Sequence, residues 1–486
     1  MEDLDFLYDP KLFERVSHLL TGELTRYLGE SREPACSVAE PEAPERLIEK
    51  AEAFLARGDE SHPSADEVVT RAQSLVREFL SSTTRLQSPN YMGHQVNPPV
   101  PVAGAMTILS GVMNPGLAVY EMSRFAAAIE RSLIARLGVR VGWKPGDFDG
   151  VITSGGTLAN MTALLTARNW KYPKAWSEGV VGKRPAILAG ADSHYSIARA
   201  AGVMGLGIDQ VIKVPLDASR RLDVSRLEET YQKAVASGLD PFCIIGASGT
   251  TPVGAFDPLL RIARFAKEKS LWFHVDAAHG GSLLLSEKHR GLLDGIAEAD
   301  SIAWDAHKMM FVPSLCTFLL YRDKKTSYLP FQQEAPYLFS VEDETRMAVD
   351  SGLRTFECTK GAIALPVWSM WAMFGEKIFG RLIDKTIGTT KLFHDLIAET
   401  GDFVPIHRPE ANILCFRYVP EKMKKAPLAE LGAFQKSVRD KLVADGRFYI
   451  TGSAFDGIYC LRVTIINPST GREEILALLD HIRSKG

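Results

Sequence analysis

Two segments decide the expected fold of this chain: His274-Val-Asp-Ala-Ala-His-Gly-Gly281 and Ser301-Ile-Ala-Trp-Asp-Ala-His-Lys308. Each begins with an apolar run typical of a short buried strand. The first strand ends at an acid, Asp276, and the second is followed by a lysine, Lys308. The carboxyl ends of parallel strands face one crevice, where open α/β sheets bind their ligands. We therefore expect the two side chains to share a site.

A lysine and a carboxylate in this arrangement suit pyridoxal phosphate. The lysine amine forms a Schiff base with the aldehyde of the cofactor, and a carboxylate beside the pyridine nitrogen keeps that nitrogen protonated. The sequence predicts that Lys308 is the Schiff-base lysine and that Asp276 is the partner of the ring nitrogen.

The composition is that of a soluble enzyme. The 486 residues are 46% hydrophobic and 24% charged. The net charge of −3 gives no indication of binding to nucleic acid or to an anionic membrane. Six scattered cysteines without a Cys-x-x-Cys pair favour buried free thiols over disulfides or zinc ligands. The acidic amino terminus lacks the basic and apolar regions of a signal peptide. We expect a cytoplasmic enzyme without a metal, nucleic-acid or membrane partner.

Three regions follow from the patterning, because this length exceeds one compact core. Residues 1–85 read as an amino-terminal helical arm, 86–360 as a large α/β domain, and 361–486 as a linker helix with a smaller α+β domain. From 185 to 321 strand, loop and helix repeat, which predicts a mostly parallel sheet flanked by helices. Within this run, Asp257 is the predicted N-cap of a helix and Pro258 lies in its first turn.

A glycine turn between a strand and a helix is the predicted phosphate site. Gly150-Val-Ile-Thr-Ser-Gly-Gly-Thr157 matches neither the Walker A pattern nor the dinucleotide fingerprint. Such a turn usually does no more than reverse the chain. Together with Asp276 and Lys308, it predicts that Gly155, Gly156 and Thr157 present backbone N–H groups to a phosphate.

Other polar residues also follow strand ends or lie in loops. His194 fits a ring stacked on the cofactor or a satisfied loop histidine, and Thr250 is placed to reach the cofactor. His94 and Gln95, in a proline-rich loop, fit either substrate contact or a structural role. Arg462, within an apolar strand, needs either a ligand carboxylate or a structural salt bridge.

A long polar connection follows the last strand of the large domain. It runs from Lys325 to Met347, lacks a clear period and carries Tyr328 and Tyr337. A connection of this length after a site is typical of a lid.

These motifs together resemble the pyridoxal-phosphate-dependent group II amino-acid decarboxylases, which include glutamate, cysteine-sulfinate, aromatic and 2,4-diaminobutyrate decarboxylases. The resemblance runs from about residue 88 to the C-terminus. Its carriers are Ser154-Gly-Gly-Thr157, Ser193-His-Tyr-Ser196, Gly249-Thr-Thr-Pro-Val-Gly-Ala-Phe-Asp-Pro258, His274-Val-Asp-Ala-Ala278, His307-Lys-Met-Met310 and Arg462-Val-Thr-Ile-Ile-Asn-Pro468.

The resemblance implies a fold-type I homodimer with active sites shared between its subunits. It implies that His307 assists at the phosphate and that Ala278 lies beneath the ring face opposite His194. By the same resemblance, Gln95 and Arg462 contact the substrate carboxylate, and Tyr328 protonates the substrate carbon.

The function implied is decarboxylation of an L-amino acid, acidic or diamino, to CO₂ and a primary amine. Alternatives are another reaction of the same cofactor, such as oxidative deamination or carbon–sulfur cleavage, or binding without turnover. One departure bears on the site: Asp305 stands where the family often has asparagine. A carboxylate there would repel a phosphate unless it is turned away or compensated, so its role stays open.

Overall fold

The computed structural model describes residues 5–33, 35–59, 63–332 and 347–486. The chain divides into two compact units. The larger unit contains Gln95–His394 and His407–Leu414, and the smaller contains Met1–His94, Asp395–Ile406 and Cys415–Gly486. The amino-terminal arm thus shares a unit with the last part of the chain, while the three boundaries drawn from the sequence stay predictions.

The regular elements are numbered in chain order. The strands are β1 (Tyr91–Met92), β2 (Asp149–Thr153), β3 (Pro185–Gly190), β4 (Val211–Val214), β5 (Asp240–Ala247), β6 (Trp272–Asp276), β7 (Ser301–Asp305), β8 (Thr317–Tyr321), β9 (Phe403–Pro405), β10 (Ile413–Tyr418), β11 (Tyr449–Phe455) and β12 (Ile458–Thr464). The helices are α1 (Pro10–Glu30), α2 (Pro44–Asp59), α3 (Ala65–Ser82), α4 (Pro101–Ala105), α5 (Thr107–Met113), α6 (Arg124–Val141), α7 (Gly156–Lys171), α8 (Ala175–Glu178), α9 (Ser196–Val203), α10 (Leu227–Ala236), α11 (Leu259–Lys269), α12 (Ala306–Met309), α13 (Leu365–Phe374), α14 (Lys377–Ala398), α15 (Leu428–Ala444) and α16 (Arg472–Lys485).

A seven-stranded sheet organises the larger unit, in the spatial order β2-β8-β7-β6-β5-β3-β4. The neighbours from β7 to β4 pair in parallel, which confirms the predicted mostly parallel sheet. Strand β8 is antiparallel to both β2 and β7. The carboxyl ends of β2, β3, β5, β6 and β7 therefore meet at one edge of the sheet, and β8 ends at the opposite edge. Strands β2, β3, β7 and β8 are buried throughout, as in sheets covered on both faces.

Helix α7 packs on this sheet through a row of small side chains. Ala159, Ala163 and Ala167 recur every four residues and are fully buried in the cluster that contains Val151 and Ala303 of the sheet. Small side chains allow the helix to lie close to the strands, and this packing fixes the glycine turn at its amino terminus.

The predicted N-cap role of Asp257 is wrong. Helix α11 begins at Leu259, and no described side chain caps its first turn. Instead, the buried Asp257 carboxylate accepts hydrogen bonds from the backbone N–H groups of Leu222, at 2.7 Å, and Ala247, at 2.8 Å. Burial raises the pKa of Asp257 to about 6, against the lowering effect of these bonds. The residue ties two loops to the end of β5.

The smaller unit contains a five-stranded sheet in the order β1-β11-β12-β10-β9. Strand β1 is parallel to β11, whereas β11–β12 and β10–β9 pair antiparallel. In the amino-terminal arm, helix α3 opens with a capping box between Ser64 and Glu67. Glu23 of α1 binds Arg26 and Arg77, which lower its pKa to about 2.

All six cysteines are free in the structure, but only four of them are buried as predicted. Cys243, Cys316, Cys415 and Cys460 are buried, whereas Cys36 is half-buried and Cys358 is exposed. Among the described residues, no helix combines the length and the apolar character that crossing a membrane requires. Nor do the described histidine, cysteine and acidic side chains form a group suited to a metal ion.

Candidate active site

A cavity of about 280 Å³ opens at the edge of the large sheet where the carboxyl ends of β2, β3, β5, β6 and β7 meet. The loops that leave these strands line it. All nine residues predicted to bind a cofactor lie on its wall, namely Gly155, Gly156, Thr157, His194, Thr250, Asp276, Ala278, His307 and Lys308. The structure thus brings these residues together, and their individual roles stay predictions.

Lys308 lies in α12, the single helical turn that follows β7. The amide of Asn97 holds this turn by donating hydrogen bonds to the carbonyl oxygens of His307, at 2.6 Å, and Lys308, at 2.7 Å. The Lys308 Nζ lies 3.0 Å from Oδ2 of Asp305. Asn97 belongs to the proline-rich loop, so this loop supports the lysine.

Asp305 ends β7, and its side chain is almost fully buried. Its Oδ1 accepts a hydrogen bond from Thr317 Oγ1 at 2.6 Å, while Oδ2 faces Lys308. Burial alone would raise the pKa of Asp305, but Lys308, His307 and Thr317 outweigh it and hold the pKa below its ordinary value. The carboxylate is therefore compensated by the lysine.

Asp276, at the end of β6, is held by a chain of hydrogen bonds. Its Oδ2 accepts from Asn160 Nδ2 at 2.9 Å, and its Oδ1 accepts from the backbone N–H of Ala278 at 3.2 Å. The Oδ1 of Asn160 lies 3.0 Å from Nε2 of His274, whose Nδ1 lies 2.9 Å from Ser301 Oγ. Complete burial lowers the pKa of His274 to about 4, against the opposing effect of Asp276, so this ring is neutral near pH 7.

His194 lies in the loop between β3 and α9. Its Nδ1 is 2.8 Å from Oγ of Ser196, and Asn160 also donates to that hydroxyl, at 3.0 Å. Burial lowers the pKa of His194, although nearby Asp276 acts in the opposite direction. A neutral imidazole is thus connected through Ser196 and Asn160 to the carboxylate of Asp276.

The glycine turn lies against Asp305. Gly155 has φ of +116°, which favours glycine, and α7 begins at the next residue. A Cβ atom on Gly156 would lie 3.0 Å from a carboxylate oxygen of Asp305. Ser154, just before the turn, donates a hydrogen bond to Glu357 at 2.8 Å. A side chain at position 156 would therefore have to displace the Asp305 carboxylate by a few tenths of an ångström. Gly156 and Thr157, the first two residues of the 16-residue helix, line the cavity at the positive end of the helix dipole.

Residues 62–419 match the model of the pyridoxal-dependent decarboxylase conserved domain, which is well over half of the chain. The chain belongs to this family. It is a pyridoxal-phosphate-dependent amino-acid decarboxylase with the fold-type I architecture, as the motifs predicted.

The relatives of this decarboxylase include enzymes for acidic substrates. It is 31% identical over 465 residues to mouse cysteine sulfinic acid decarboxylase, covering 93% of this chain and 91% of the mouse protein. It is 32% identical over 390 residues to the mouse acidic amino acid decarboxylase GADL1, covering 79% and 70% of the two chains.

Two of the similar solved structures match along nearly the whole chain. The crystal structure of mouse CSAD matches with a TM-score of 0.90 and 29% identity, covering 98% of this chain and 99% of that one. The second is the glutamate decarboxylase domain of diaminobutyrate-pyruvate transaminase and L-2,4-diaminobutyrate decarboxylase from Vibrio parahaemolyticus. It matches with a TM-score of 0.84 and 25% identity, covering 97% and 95% of the two chains.

The cavity of this decarboxylase fits pyridoxal phosphate chemically. An amine for the aldehyde, a carboxylate for the ring nitrogen and a helix N-terminus for the phosphate are present, on Lys308, Asp276 and the Gly155–Thr157 turn. His307 lies beside them, and its Nδ1 is 3.0 Å from the carbonyl oxygen of Cys316, which orients the ring. Thr250 accepts a hydrogen bond from the N–H of Ala255 at 3.1 Å, so its loop is fixed.

Tyr328 is not among the residues that line this cavity, and its role as proton donor stays a prediction. It ends a short 3₁₀ helix after β8, and its ring packs 5.3 Å from the Arg354 guanidinium carbon. Arg354 binds Asp149, the first residue of β2, at 2.7 Å. Four residues of extended strand, about 13 Å, separate Asp149 from the cavity end of β2. The other candidate, Tyr337, lies outside the described residues.

The three predicted substrate residues are not among the described residues that line the cavity. Gln95 belongs to the larger unit, whereas His94 and Arg462 belong to the smaller one. The Nε2 of His94 is 3.1 Å from the hydroxyl of Tyr449, and burial lowers its pKa. Arg462 is buried in β12 and donates to Thr451 Oγ1 at 3.2 Å. Their contact with substrate stays a prediction.

Sequence reasoning missed several polar residues of the site. Asn160 and Asn97 each join segments far apart in the chain, and Asp192 lines the cavity beside His194. A signal existed for Asn160, because it lies one helical turn after Gly156 and faces the same edge of the sheet. Asn97 shows no such pattern.

Proposed function

We propose that this enzyme decarboxylates an L-amino acid with an acidic side chain, releasing CO₂ and a primary amine. The observation that carries the proposal is the shared cavity of Lys308 and Asp276 at adjacent strand ends. The relatives named for acidic amino acids and cysteine sulfinic acid support the acidic substrate class.

The residues of the cavity have the following proposed roles. Lys308 holds the cofactor by its aldehyde, Asp276 holds the ring nitrogen, and His194 and Ala278 pack on opposite ring faces. Gly155, Gly156, Thr157 and His307 bind the phosphate, and Thr250 contacts the cofactor from its fixed loop. When bound, pyridoxal phosphate takes up the electron pair that the departing CO₂ leaves behind.

Asp276 keeps a proton on the ring nitrogen. Asn160 and the N–H of Ala278 both donate to its carboxylate and hold it in place at the cavity wall. An ionised carboxylate within hydrogen-bond reach favours a protonated pyridine nitrogen by roughly 1.4 kcal/mol for each unit of pKa change. The neutral His194 ring adds no opposing positive charge near that nitrogen.

Asp305 acts on the lysine. In the free enzyme its Oδ2 forms an ion pair with Nζ of Lys308 at 3.0 Å. With pyridoxal phosphate bound, Asp305 would stabilise Lys308 as a cation whenever the lysine amine is not attached to the cofactor. In this role Asp305 need not repel the phosphate of the cofactor, because Lys308 compensates its negative charge and Thr317 binds its other oxygen.

The substrate carbon must receive a proton after CO₂ leaves. Proton delivery to the cofactor carbon instead would give transamination rather than an amine. The proposed donor is a tyrosine hydroxyl of the predicted lid, from Tyr328 or Tyr337. Tyr328 does not line the cavity of its own chain, which favours Tyr337. Gln95 and Arg462 are the proposed contacts of the substrate carboxylate.

A panel of amino acids tests the substrate class. The purified enzyme with pyridoxal phosphate is assayed for CO₂ release from aspartate, glutamate, cysteine sulfinate and 2,4-diaminobutyrate, with ammonia and sulfide measured alongside. We expect CO₂ from at least one acidic amino acid and little from the diamino acid. A preference for 2,4-diaminobutyrate, the amino acid for which the Vibrio protein is named, would contradict the acidic assignment.

We also propose that the enzyme is a cytoplasmic homodimer with shared active sites. The larger unit exposes apolar side chains around a groove of about 380 Å³, including Met113, Met122 and Phe125, which are 75%, 55% and 67% exposed. A second copy of the chain is the proposed cover for them. The free thiols support a reducing compartment. Light scattering of the purified protein at several concentrations should give twice the chain mass, and a monomer would contradict the proposal.

A further inference from the structure

Arg220 adopts a backbone conformation that arginine rarely adopts. Its φ is +60°, in the left-handed region. A residue with a Cβ is typically less stable there by about 1–2 kcal/mol, and such residues persist only where their surroundings fix them. The backbone is therefore strained at this position, and the contacts of the Arg220 side chain explain why an arginine is kept there.

A compact turn holds Arg220 in place. Its N–H donates to the carbonyl oxygen of Asp217 at 2.9 Å. The Asp217 carboxylate accepts from the N–H groups of Ser219, at 2.8 Å, and Arg221, at 3.0 Å. The Arg221 side chain also binds Asp217 at 3.0 Å. These bonds fix the backbone of the turn from which the Arg220 side chain projects.

The Arg220 guanidinium makes a two-point contact with Asp192. Its Nε lies 2.8 Å from one carboxylate oxygen and its Nη2 lies 2.7 Å from the other. Such paired geometry is the strong form of an arginine–carboxylate contact. Both side chains are mostly buried, with 24% and 13% exposure. Asp192 lines the cavity, two residues before His194.

Arg220 completes the compensation of charge on the cavity wall. Within the described part of the chain, three acidic residues line the cavity: Asp192, Asp276 and Asp305. Asp276 is assigned to the ring nitrogen of the cofactor, and Asp305 pairs with Lys308. Asp192 pairs with Arg220, which approaches from outside the cavity wall. Without Arg220, a bare carboxylate would face the space that must accept the phosphate of the cofactor and, by our proposed function, an acidic substrate.

We propose that Arg220 is a charge-compensating residue that makes the cavity permissive for anions by neutralising Asp192. Arg220 does not line the cavity, and in this proposal it acts on the ligands through Asp192. The part of this inference that concerns acidic substrates rests on the proposed function, whereas the part that concerns the phosphate rests on the family alone.

Two ligands that differ in charge can distinguish a charge-compensating role of Arg220 from a role in holding the loop in place. Pyridoxal phosphate and pyridoxal, which lacks the phosphate, are titrated by absorbance into cofactor-free protein. The proteins are the wild type, Arg220→Gly, Asp192→Asn and the double variant. Glycine tolerates the positive φ of position 220, so the backbone strain that Arg220→Gly relieves should offset part of the stability lost with the ion pair, and the melting temperature is measured alongside. Asp192→Asn removes the ion pair without leaving a bare carboxylate.

We expect Arg220→Gly to bind pyridoxal phosphate about tenfold more weakly and pyridoxal about as well as the wild type does. The double variant should bind both ligands about as well as the wild type does, because it has no unpaired charge at the cavity wall. Asp192→Asn leaves the Arg220 cation unpaired, so it should bind pyridoxal phosphate at least as tightly as the wild type and pyridoxal about equally. Should Arg220→Gly fail to fold, Arg220→Asn replaces it, since asparagine also tolerates the left-handed region.

The inference is overturned if Asp192→Asn binds pyridoxal phosphate as weakly as Arg220→Gly does, or if Arg220→Gly weakens both ligands equally. Either result would mean that the ion pair holds the loop mechanically. Wild-type affinity in Arg220→Gly would also overturn it. None of these results depends on which amino acid is decarboxylated, so they are distinguishable from failure of the substrate panel.

Discussion

The two ends of strand β2 surround buried charge in different ways. At the start of the strand, the Asp149 carboxylate accepts from Arg131, from Arg354 at 2.7 Å and from Ser327 at 3.2 Å. Asp149 and Arg354 are almost completely enclosed, with side-chain exposures of 5% and 2%. The buried charges there are matched by protein neighbours.

At the other end, the strand leads into the glycine turn and the cavity. There Lys308 is 21% exposed, and the Asp276 carboxylate accepts hydrogen bonds from two uncharged groups, the Asn160 amide and the N–H of Ala278. Matched and enclosed charge serves stability, whereas charge that faces a cavity is available to a ligand. The comparison predicts that mutations at the two ends affect different properties.

The largest effect is expected at the cavity end. Lys308→Ala should lower decarboxylation by roughly 10³-fold and remove the absorption band of the lysine-bound cofactor, because the covalent attachment and a proton-transfer group are both lost. The folded state should persist. Lys174→Ala, which removes an exposed lysine, serves as the control. An unchanged absorption spectrum in Lys308→Ala would remove Lys308 from the site.

A mutation at the start of β2 should lower the stability of the protein. Asp149→Ala leaves the buried Arg354 without its carboxylate and should lower the free energy of unfolding by about 3–5 kcal/mol, as measured by urea denaturation. Asp480→Ala, at an exposed carboxylate, should change it by less than about 0.5 kcal/mol. Loss of activity in Asp149→Ala at unchanged stability would erase the distinction between the two ends.

A pH effect should arise from His274, behind the cavity. Its pKa is about 4 in the folded state and 6.5 ordinarily, so the unfolded chain takes up a proton first as the pH falls. The associated stability is present above pH 6.5 and is lost as the pH falls toward 4. Between about pH 7.5 and pH 5 the wild type should lose about 2 kcal/mol more than His274→Gln does. Equal slopes in urea denaturation would contradict the neutral, buried state of this ring.

The smallest effect is expected for Tyr328→Phe. Because this ring packs on Arg354 far from the cavity, amine production should stay within about twofold of the wild type. The matched variant Tyr337→Phe should lose amine production while still binding the cofactor. Loss of amine production in Tyr328→Phe alone would restore the assignment that the sequence favoured.

The sequence predicted the cavity end well because parallel strands impose a simple rule. Residues at the carboxyl ends of β2, β3, β5, β6 and β7 must meet at one edge of the sheet. The sequence shows glycines, a histidine, an acid and a lysine at four of these ends. Lys308, Asp276, His194 and the glycine turn were therefore identified without coordinates. Their roles depend on a bound cofactor and stay predictions.

The direction of β8 could not be read from its apolar residues. A buried strand of Thr317–Tyr321 has the same pattern whether it runs parallel or antiparallel. Because β8 is antiparallel, the chain leaves it at the edge opposite the cavity, and Tyr328 follows it there. The position of Tyr328 relative to the cavity of its own chain thus depends on the direction of β8, which the sequence does not reveal.

Pairings between distant residues were equally unreadable. Asp257 has the sequence of an N-cap, yet its carboxylate serves two loops, since tertiary donors compete with the helix terminus. The contact between Arg220 and Asp192 depends on a left-handed residue that is not glycine, which sequence rules do not anticipate.

The close approach of Gly156 to Asp305 links two parts of the site that would otherwise be adjustable separately. A methyl group at position 156 would push the carboxylate that positions Lys308, so a change made to alter phosphate recognition would also disturb the nucleophile. Engineers who wish to refit this pocket for a different cofactor analogue would have to redesign both positions in the same step.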